Sequence, residues 1–194
     1  MNKVIMFDVD GVLADFDLAF TLLANRMFGT PVSCTFDQKE WNFRTILTNS
    51  QQSRVWVAVK NAPYWWQALA SLVDQKIMRQ INALCLNNEV YFITARTHSW
   101  TPLGVQTQRW LMEQGIEHPK VVVTAAKGEA CKILKVNYAL EDNWGNACAI
   151  HWMSEAKSFL INRHYNEKAR GIISEGITRV GTVLEFIDAI KKGE

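Results

Sequence analysis

No stretch of this 194-residue chain approaches the ~18 consecutive apolar residues that a membrane-spanning helix needs. The N-terminus reads MNKVIMFD, where an apolar run of four residues meets a carboxylate, too short for the central region of a secretory leader. Cysteine is sparse: Cys34, Cys85, Cys131 and Cys148 stand far apart with no CxxC pair, which excludes a compact disulfide framework and points to a reducing cytoplasm. An excess of one charge is missing too. Lys+Arg total 21 against 19 Asp+Glu, a net charge of +2, so bulk electrostatics suggest neither a broad nucleic-acid footprint nor an anionic-membrane anchor. No internal repeat, low-complexity tract or linker rich in Gly, Pro or Ser divides the chain. One domain, or one domain carrying an inserted cap, is the expectation.

What the chain holds in quantity is apolar and aromatic side chains: 48% hydrophobic residues, with eight Trp and nine Phe. Short apolar runs at residues 4–7, 90–93, 121–123, 138–140 and 159–161 each end in a polar residue or a turn, and helical periods separate them. Parallel strands buried on both faces read this way, because crossover helices cover both sides of the sheet. The expected fold class is α/β, three-layered and Rossmann-like. One helix carries Leu103, Val105, Trp110 and Leu111 and stops at Gly115. The last begins with a capping box, Thr182-Val-Leu-Glu185, and buries Val183, Leu184, Phe186, Ile187 and Ile190. Residues 15–86 lack the alternation, read mostly helical and hold four of the eight Trp. The expected division is a core of residues 1–14 and 87–194, with a helical cap, 15–86, inserted after the first strand and covering the strands' carboxyl ends, where open α/β sheets bind ligands.

The first strand ends Phe7-Asp8-Val9-Asp10-Gly11. Residues two apart on a strand face the same way, so Asp8 and Asp10 are expected to converge where the chain turns at Gly11. Two ionised carboxylates so close repel, and a hard divalent cation such as Mg²⁺ relieves that repulsion. A DxD alone is common and reads more simply as a solvated strand end; its companions change the reading. Thr94 and Ala95 end the second run at a turn whose amides can face an anion. Lys127, at a helix start after the third run, suits a phosphoryl oxygen. Glu141-Asp142-Asn143 closes the fourth run. Carboxylates, hydroxyl, lysine and carboxylates thus reach one sheet edge from four successive strands. Arg96 is left open between a second phosphate, a substrate carboxylate and a neighbouring Glu. His98, His118, His151 and His164 show no metal spacing.

This ordered set, DVDG at 8–11, Thr94, Lys127 and Glu141-Asp142, resembles the four motifs of the haloacid dehalogenase superfamily of phosphohydrolases. Within it, FDVDGVLADF at 7–16, the NAPYWW segment at 61–66, VYFITART at 90–97 and QTQRWL at 106–111 resemble the 5'(3')-deoxyribonucleotidase branch. Two departures bear on the substrate: LASLVDQK at 69–76 lacks the branch's usual proline and Gly-Ala pair, and Ala95 stands where a hydroxyl residue is common.

The resemblance implies an Mg²⁺-dependent phosphomonoester hydrolase. Asp8 would be the nucleophile and Asp10 the general acid and base. Asp8, Asp142 and the Asp10 carbonyl would hold the metal, Thr94, Ala95 and Lys127 the phosphate, and Glu141 and Asn146 would support the ligands. Phe16, Trp41 and Trp65 are expected to line a base-sized pocket, although a helical cap also needs aromatic residues for its own core. The expected partner is a small phosphomonoester, most naturally a nucleoside monophosphate, and neither a membrane nor a stably bound nucleic acid, with a homodimer allowed. A sugar phosphate, a nucleic-acid end and a non-catalytic binding protein are the alternatives.

Overall fold

The computed structural model describes residues 2–29, 47–171 and 176–193. The five apolar runs become strands β1 (Val4–Asp8), β2 (Glu89–Thr94), β3 (Lys120–Val123), β4 (Tyr138–Glu141) and β5 (Lys157–Ile161). A sixth strand, β6 (Ile177–Val180), joins beyond β5. All pairings are parallel, in the order β3-β2-β1-β4-β5-β6. The chain progresses one way from β1 to β3 and then resumes on the other side of β1. The switch point therefore lies between β1 and β4, the place beyond the strands' carboxyl ends where open α/β sheets generally bind ligands.

Alternation along β1 sends Ile5 and Phe7 to one face and Met6 to the other. On the first face, Phe7 meets Phe186 edge-on at 5.2 Å and stacks on Phe92 at 6.0 Å. Helices α3 (Gln75–Asn87), α4 (Leu103–Glu113) and α7 (Val183–Lys192) cover it with Met78 and Ile81, Trp110 and Leu111, and Phe186 and Ile187. On the second face, Met6, Ile93 and Ala139 pack with Cys131 of α5 (Lys127–Leu134) and Ile150 of α6 (Trp144–Met153). Full burial of each large apolar side chain contributes about 1.5–3 kcal/mol. The three-layer α/β class is as expected. In α7, Leu184 departs from the expected stripe: it is exposed, and Ala189 is buried in its place. Thr182 caps Glu185 as a capping box requires, but the Glu185 carboxylate takes the amide of Gly181 instead of that of Thr182.

After β1 the chain enters α1 (Phe16–Phe28), capped by the Asp15 carboxylate on the Leu18 amide. Helix α2 (Asn49–Asn61) follows, with a capping box between Thr48 and Gln51. A 3₁₀ turn at Trp65–Gln67 then brings the chain back to its point of departure: the Asp15 N–H donates to the Ala70 carbonyl at 2.9 Å and the Leu72 N–H to the Leu13 carbonyl at 2.7 Å. Residues 75–86, read from the sequence as part of the cap, belong to α3, which packs against β2 and α7. Helical period alone does not say which layer a helix faces. Among the described residues no helix is long and apolar enough to cross a membrane.

Candidate active site

The parallel register aligns the ends of three strands. Asp8 stands opposite Ile93, next to Thr94, and the Phe7–Leu140 pair puts Glu141 one step beyond. Lys127 opens α5 just after β3. Lys127, 3% exposed, brings its ammonium to Asp8 Oδ1 at 2.8 Å and also donates to Glu141 Oε1. This reach depends on close packing of α5 on α6: a Cβ at Gly128 would lie 2.7 Å from the Ala149 carbonyl oxygen.

Asp8, Glu141 and Asp142 are all buried, and carboxylate oxygens from the three lie within 4.8 Å of one another. Asp142 Oδ2 accepts from the Tyr165 hydroxyl, and its backbone carbonyl accepts from Asn166 Nδ2 at 2.8 Å. Asp142 Oδ1 is buried with no hydrogen-bond partner. An orphaned carboxylate oxygen costs folding free energy, and beside two further carboxylates it fits a hard, oxygen-seeking cation such as Mg²⁺. Burial, then repulsion from Glu141, pushes the Asp142 carboxyl up to about 6. The same two causes raise Asp8 well above the carboxylate range, with Lys127 opposing them. Burial alone would lower the Lys127 ammonium, but Asp8 and Glu141 outweigh it and hold the proton on.

An acid whose pKa is raised in the folded state lends stability that is complete below its unfolded value and lost as pH rises past the folded one. For Asp142 that window runs from about 4, the unperturbed Asp value, to about 6. Chelator-treated protein is accordingly expected to melt at lower temperature at pH 7.5 than at pH 5. Added Mg²⁺ should raise the melting temperature more at pH 7.5; an equal effect at both pH values would contradict a cation held by these carboxylates.

Asp10 does not share this cluster. Its side chain meets Arg96, through Nη2 to Oδ1 at 2.8 Å and Nε to Oδ2 at 2.9 Å, and it accepts from the Thr94 hydroxyl at 2.9 Å. The convergence expected of the DxD pair is thus divided: Asp8 faces Lys127, Glu141 and Asp142, and the cation that meets Asp10 is Arg96. The Thr94 hydroxyl proton is committed to Asp10, so a bond from Thr94 to a phosphoryl oxygen requires that hydroxyl to turn. Ala95 is exposed in the loop after β2. Asn146 donates its backbone N–H to Asn143 Oδ1, fixing the start of α6 beside Asp142.

Gly11 makes the first turn possible. Its φ is +81°, and a Cβ there would lie 1.9 Å from Asp142 Oδ2. Gly11→Ala is expected to cost at least the about 1–2 kcal/mol of a left-handed non-glycine residue and to push the Asp142 carboxylate aside. Thermal melts together with Mg²⁺ titration check this; an unchanged melt and unchanged metal affinity would refute it.

Phe16, half-buried, lies nearly parallel to Trp56 at 5.9 Å and to Trp66 at 5.6 Å, with Trp65 edge-on at 5.9 Å. Trp56 also stacks on exposed His98 at 4.6 Å, and the Trp66 ring lies 5.1 Å from the Arg96 guanidinium carbon. The aromatic cluster therefore borders the Asp10–Arg96 pair. Trp41, the third expected pocket residue, lies outside the described residues.

Reading four strand ends missed a fifth contribution. After β5, Asn162-Arg163-His164-Tyr165-Asn166 brings Tyr165 and Asn166 to Asp142, while Arg163 Nε donates to the Gly11 carbonyl at 2.8 Å. Five polar residues directly after an apolar run were the available signal.

Comparison with known proteins agrees with this geometry. The model of the family "5' nucleotidase, deoxy (Pyrimidine), cytosolic type C protein" matches residues 2–174. No curated protein sequence matches the chain significantly. Solved structures share the fold at low identity. A haloacid dehalogenase-like hydrolase from Streptococcus pneumoniae aligns with a TM-score of 0.64 and 11% identity over 100% of this chain and 99% of its own. The L-2-haloacid dehalogenase of Xanthobacter autotrophicus gives 0.57 and 10% over 98% and 99%. The HAD hydrolase YfnB of Bacillus subtilis, solved bound to magnesium, gives 0.55 and 13% over 98% and 99%. Matched over most of its length and carrying its buried acidic residues at the switch point of a haloacid dehalogenase fold, the chain belongs to the cytosolic type C 5' nucleotidase family of hydrolases.

Proposed function

We propose that this protein is an Mg²⁺-dependent phosphomonoesterase that works through an aspartyl-phosphate on Asp8 and takes a nucleoside or deoxynucleoside monophosphate. The observation that carries the reading is the division of labour between the two aspartates of the first turn: Asp8 sits against Lys127 in a buried acidic cluster, while Asp10 is held separately by Arg96 and Thr94.

An Asp8 carboxylate oxygen attacks phosphorus, and the ester P–O bond breaks with its electron pair on the leaving alcohol oxygen. Asp10 gives that oxygen a proton. In the second half Asp10 takes a proton from water, whose oxygen bonds to phosphorus as the acyl-phosphate P–O bond breaks and its electrons return to Asp8. Splitting one displacement into two lowers each barrier, and acid–base assistance of this kind contributes typically 10²–10⁴-fold. Lys127 balances charge on Asp8 and on a phosphoryl oxygen; Thr94 turns from Asp10 to donate to the phosphate, beside the Ala95 amide. The residues that would hold Mg²⁺ are Asp8, Asp142 and the Asp10 carbonyl, with Glu141 and Asn146 supporting them. The ion, when bound, offsets repulsion between carboxylates and the phosphate dianion.

Phe16, Trp56 and Trp65, partly exposed and backed by the buried Trp66, provide aromatic surface beside Asp10, and stacking on such rings is worth about 1–3 kcal/mol per base. The family match and this surface support a nucleotide. We place the cap at residues 15–71, because its two ends pair there and α3 packs on the sheet. We also place the protein in the cytoplasm, in keeping with the free thiols of Cys85 and Cys131. Phosphate release from a panel of 5' and 3' nucleoside monophosphates and sugar phosphates, with Mg²⁺ and with chelator, tests the reading. Turnover of nucleotides in Mg²⁺ alone is expected. Preference for a sugar phosphate would overturn the substrate, and turnover undiminished by chelator would overturn the metal.

A further inference from the structure

The sequence left Arg96 open between substrate anions and a neighbouring carboxylate, and the structure gives it a place that neither substrate reading requires. Its side chain is fully buried, and burying a guanidinium costs several kcal/mol unless its hydrogen bonds are satisfied. They are satisfied on two sides. Nη2 and Nε grip the two oxygens of Asp10, while Nη1 donates to Thr107 Oγ1 at 3.0 Å on α4 and to the Trp66 carbonyl at 3.4 Å. The anchors are themselves tied down. Thr107 donates to the Leu103 carbonyl at 2.8 Å, and Trp66 donates its backbone N–H to Gln106 Oε1 at 3.2 Å and its indole N–H to the Thr97 carbonyl at 3.1 Å.

Resting on the phosphatase reading above, we infer that Arg96 is the positioning residue of the acid–base group: it clamps both oxygens of Asp10 and transmits to them the rigidity of α4 and of the returning end of the cap. A carboxylate offers about four lone-pair sites. Arg96 and Thr94 fill three of them. When Thr94 turns to the phosphate, Arg96 alone keeps the carboxylate from rotating, and the site vacated on Oδ2 is the one that had faced Thr94. The proton of Asp10 is thereby aimed at the phosphoryl side of the site. A guanidinium does this better than an ammonium, because its fork fits a carboxylate in one plane.

The test uses leaving groups. An alkoxide, as in a nucleoside monophosphate, needs the Asp10 proton to depart, whereas p-nitrophenolate leaves without one. Rapid-quench measurement of the first turnover is made with the full-length protein in Mg²⁺ on both substrates, for wild type, Arg96→Lys and Arg96→Met. Both variants should slow alcohol release from the nucleotide about 10²-fold, while the burst of p-nitrophenolate stays within about threefold of wild type. Thr107→Val, which removes an anchor and leaves Arg96 in place, is expected to shift the two rates in the same unequal way by a smaller factor, and it serves if the Arg96 variants fail to fold. Equal loss on both substrates, or no loss on the nucleotide, overturns the role of Arg96. A wild type that phosphorylates itself from neither substrate overturns the phosphatase reading, and this inference with it.

Discussion

Asp8→Asn is expected to lower kcat for phosphomonoester hydrolysis by at least about 10⁴-fold while leaving the fold as stable as wild type or more so. Loss of a nucleophile typically costs up to about 10⁶-fold, because the remaining groups act only as a unit with it. The stability half of the expectation is the more discriminating. Asp8 shares a buried site with Glu141 and Asp142, and both repel its charge. An amide of the same shape removes a carboxyl whose ionisation Glu141, Asp142 and burial all oppose, and Lys127 keeps its contact with Glu141. Most buried substitutions destabilise, so a melting temperature at or above that of wild type, combined with lost turnover, would single out a residue kept for chemistry at the expense of stability. Near-normal activity in Asp8→Asn would remove the nucleophile from the account.

Lys127→Met has the opposite signature. It leaves Asp8, Glu141 and Asp142 buried without the ammonium that touches two of them. Breaking a buried ion pair from one side costs about 3–5 kcal/mol. At about 2–4 °C per kcal/mol for a chain of this size, the melting temperature should fall by roughly 10 °C at neutral pH. Without the lysine the raised carboxyls rise further, so their protonation at low pH is expected to recover part of the loss. Melts at pH 5 and pH 7.5 should therefore converge on wild type as pH falls, and phosphate release should be lost at both. A variant as stable as wild type at pH 7.5 would show that the acidic residues do not depend on Lys127 for charge balance.

The sheet was legible because strands covered by helices leave short apolar runs, and each of the first four ends in or leads into a residue of the candidate site. β6 escaped: it is an edge strand in which Thr178 and Arg179 break the apolar run. The return of the chain to residues 13–15 was not visible, since residues 70–72 carry no punctuation and only the backbone pairing there marks it. The roles of single residues were less readable than their presence. Thr94 and Arg96 meet Asp10 across more than eighty residues of chain, and no local spacing predicts that contact. Tyr165 belonged to a fifth strand end that looked like an ordinary polar loop.

The central claim is that Asp8, and no other carboxylate, carries the phosphoryl group during turnover. Acid-quenching the enzyme during hydrolysis of labelled substrate in Mg²⁺, followed by digestion and fragmentation of the peptide spanning residues 4–26, tests it directly. One phosphoryl group on Asp8, labile to hydroxylamine and absent from Asp8→Asn, is the predicted result. Turnover with the label on Asp10, or with no label at any quench time while inorganic phosphate accumulates, would contradict it.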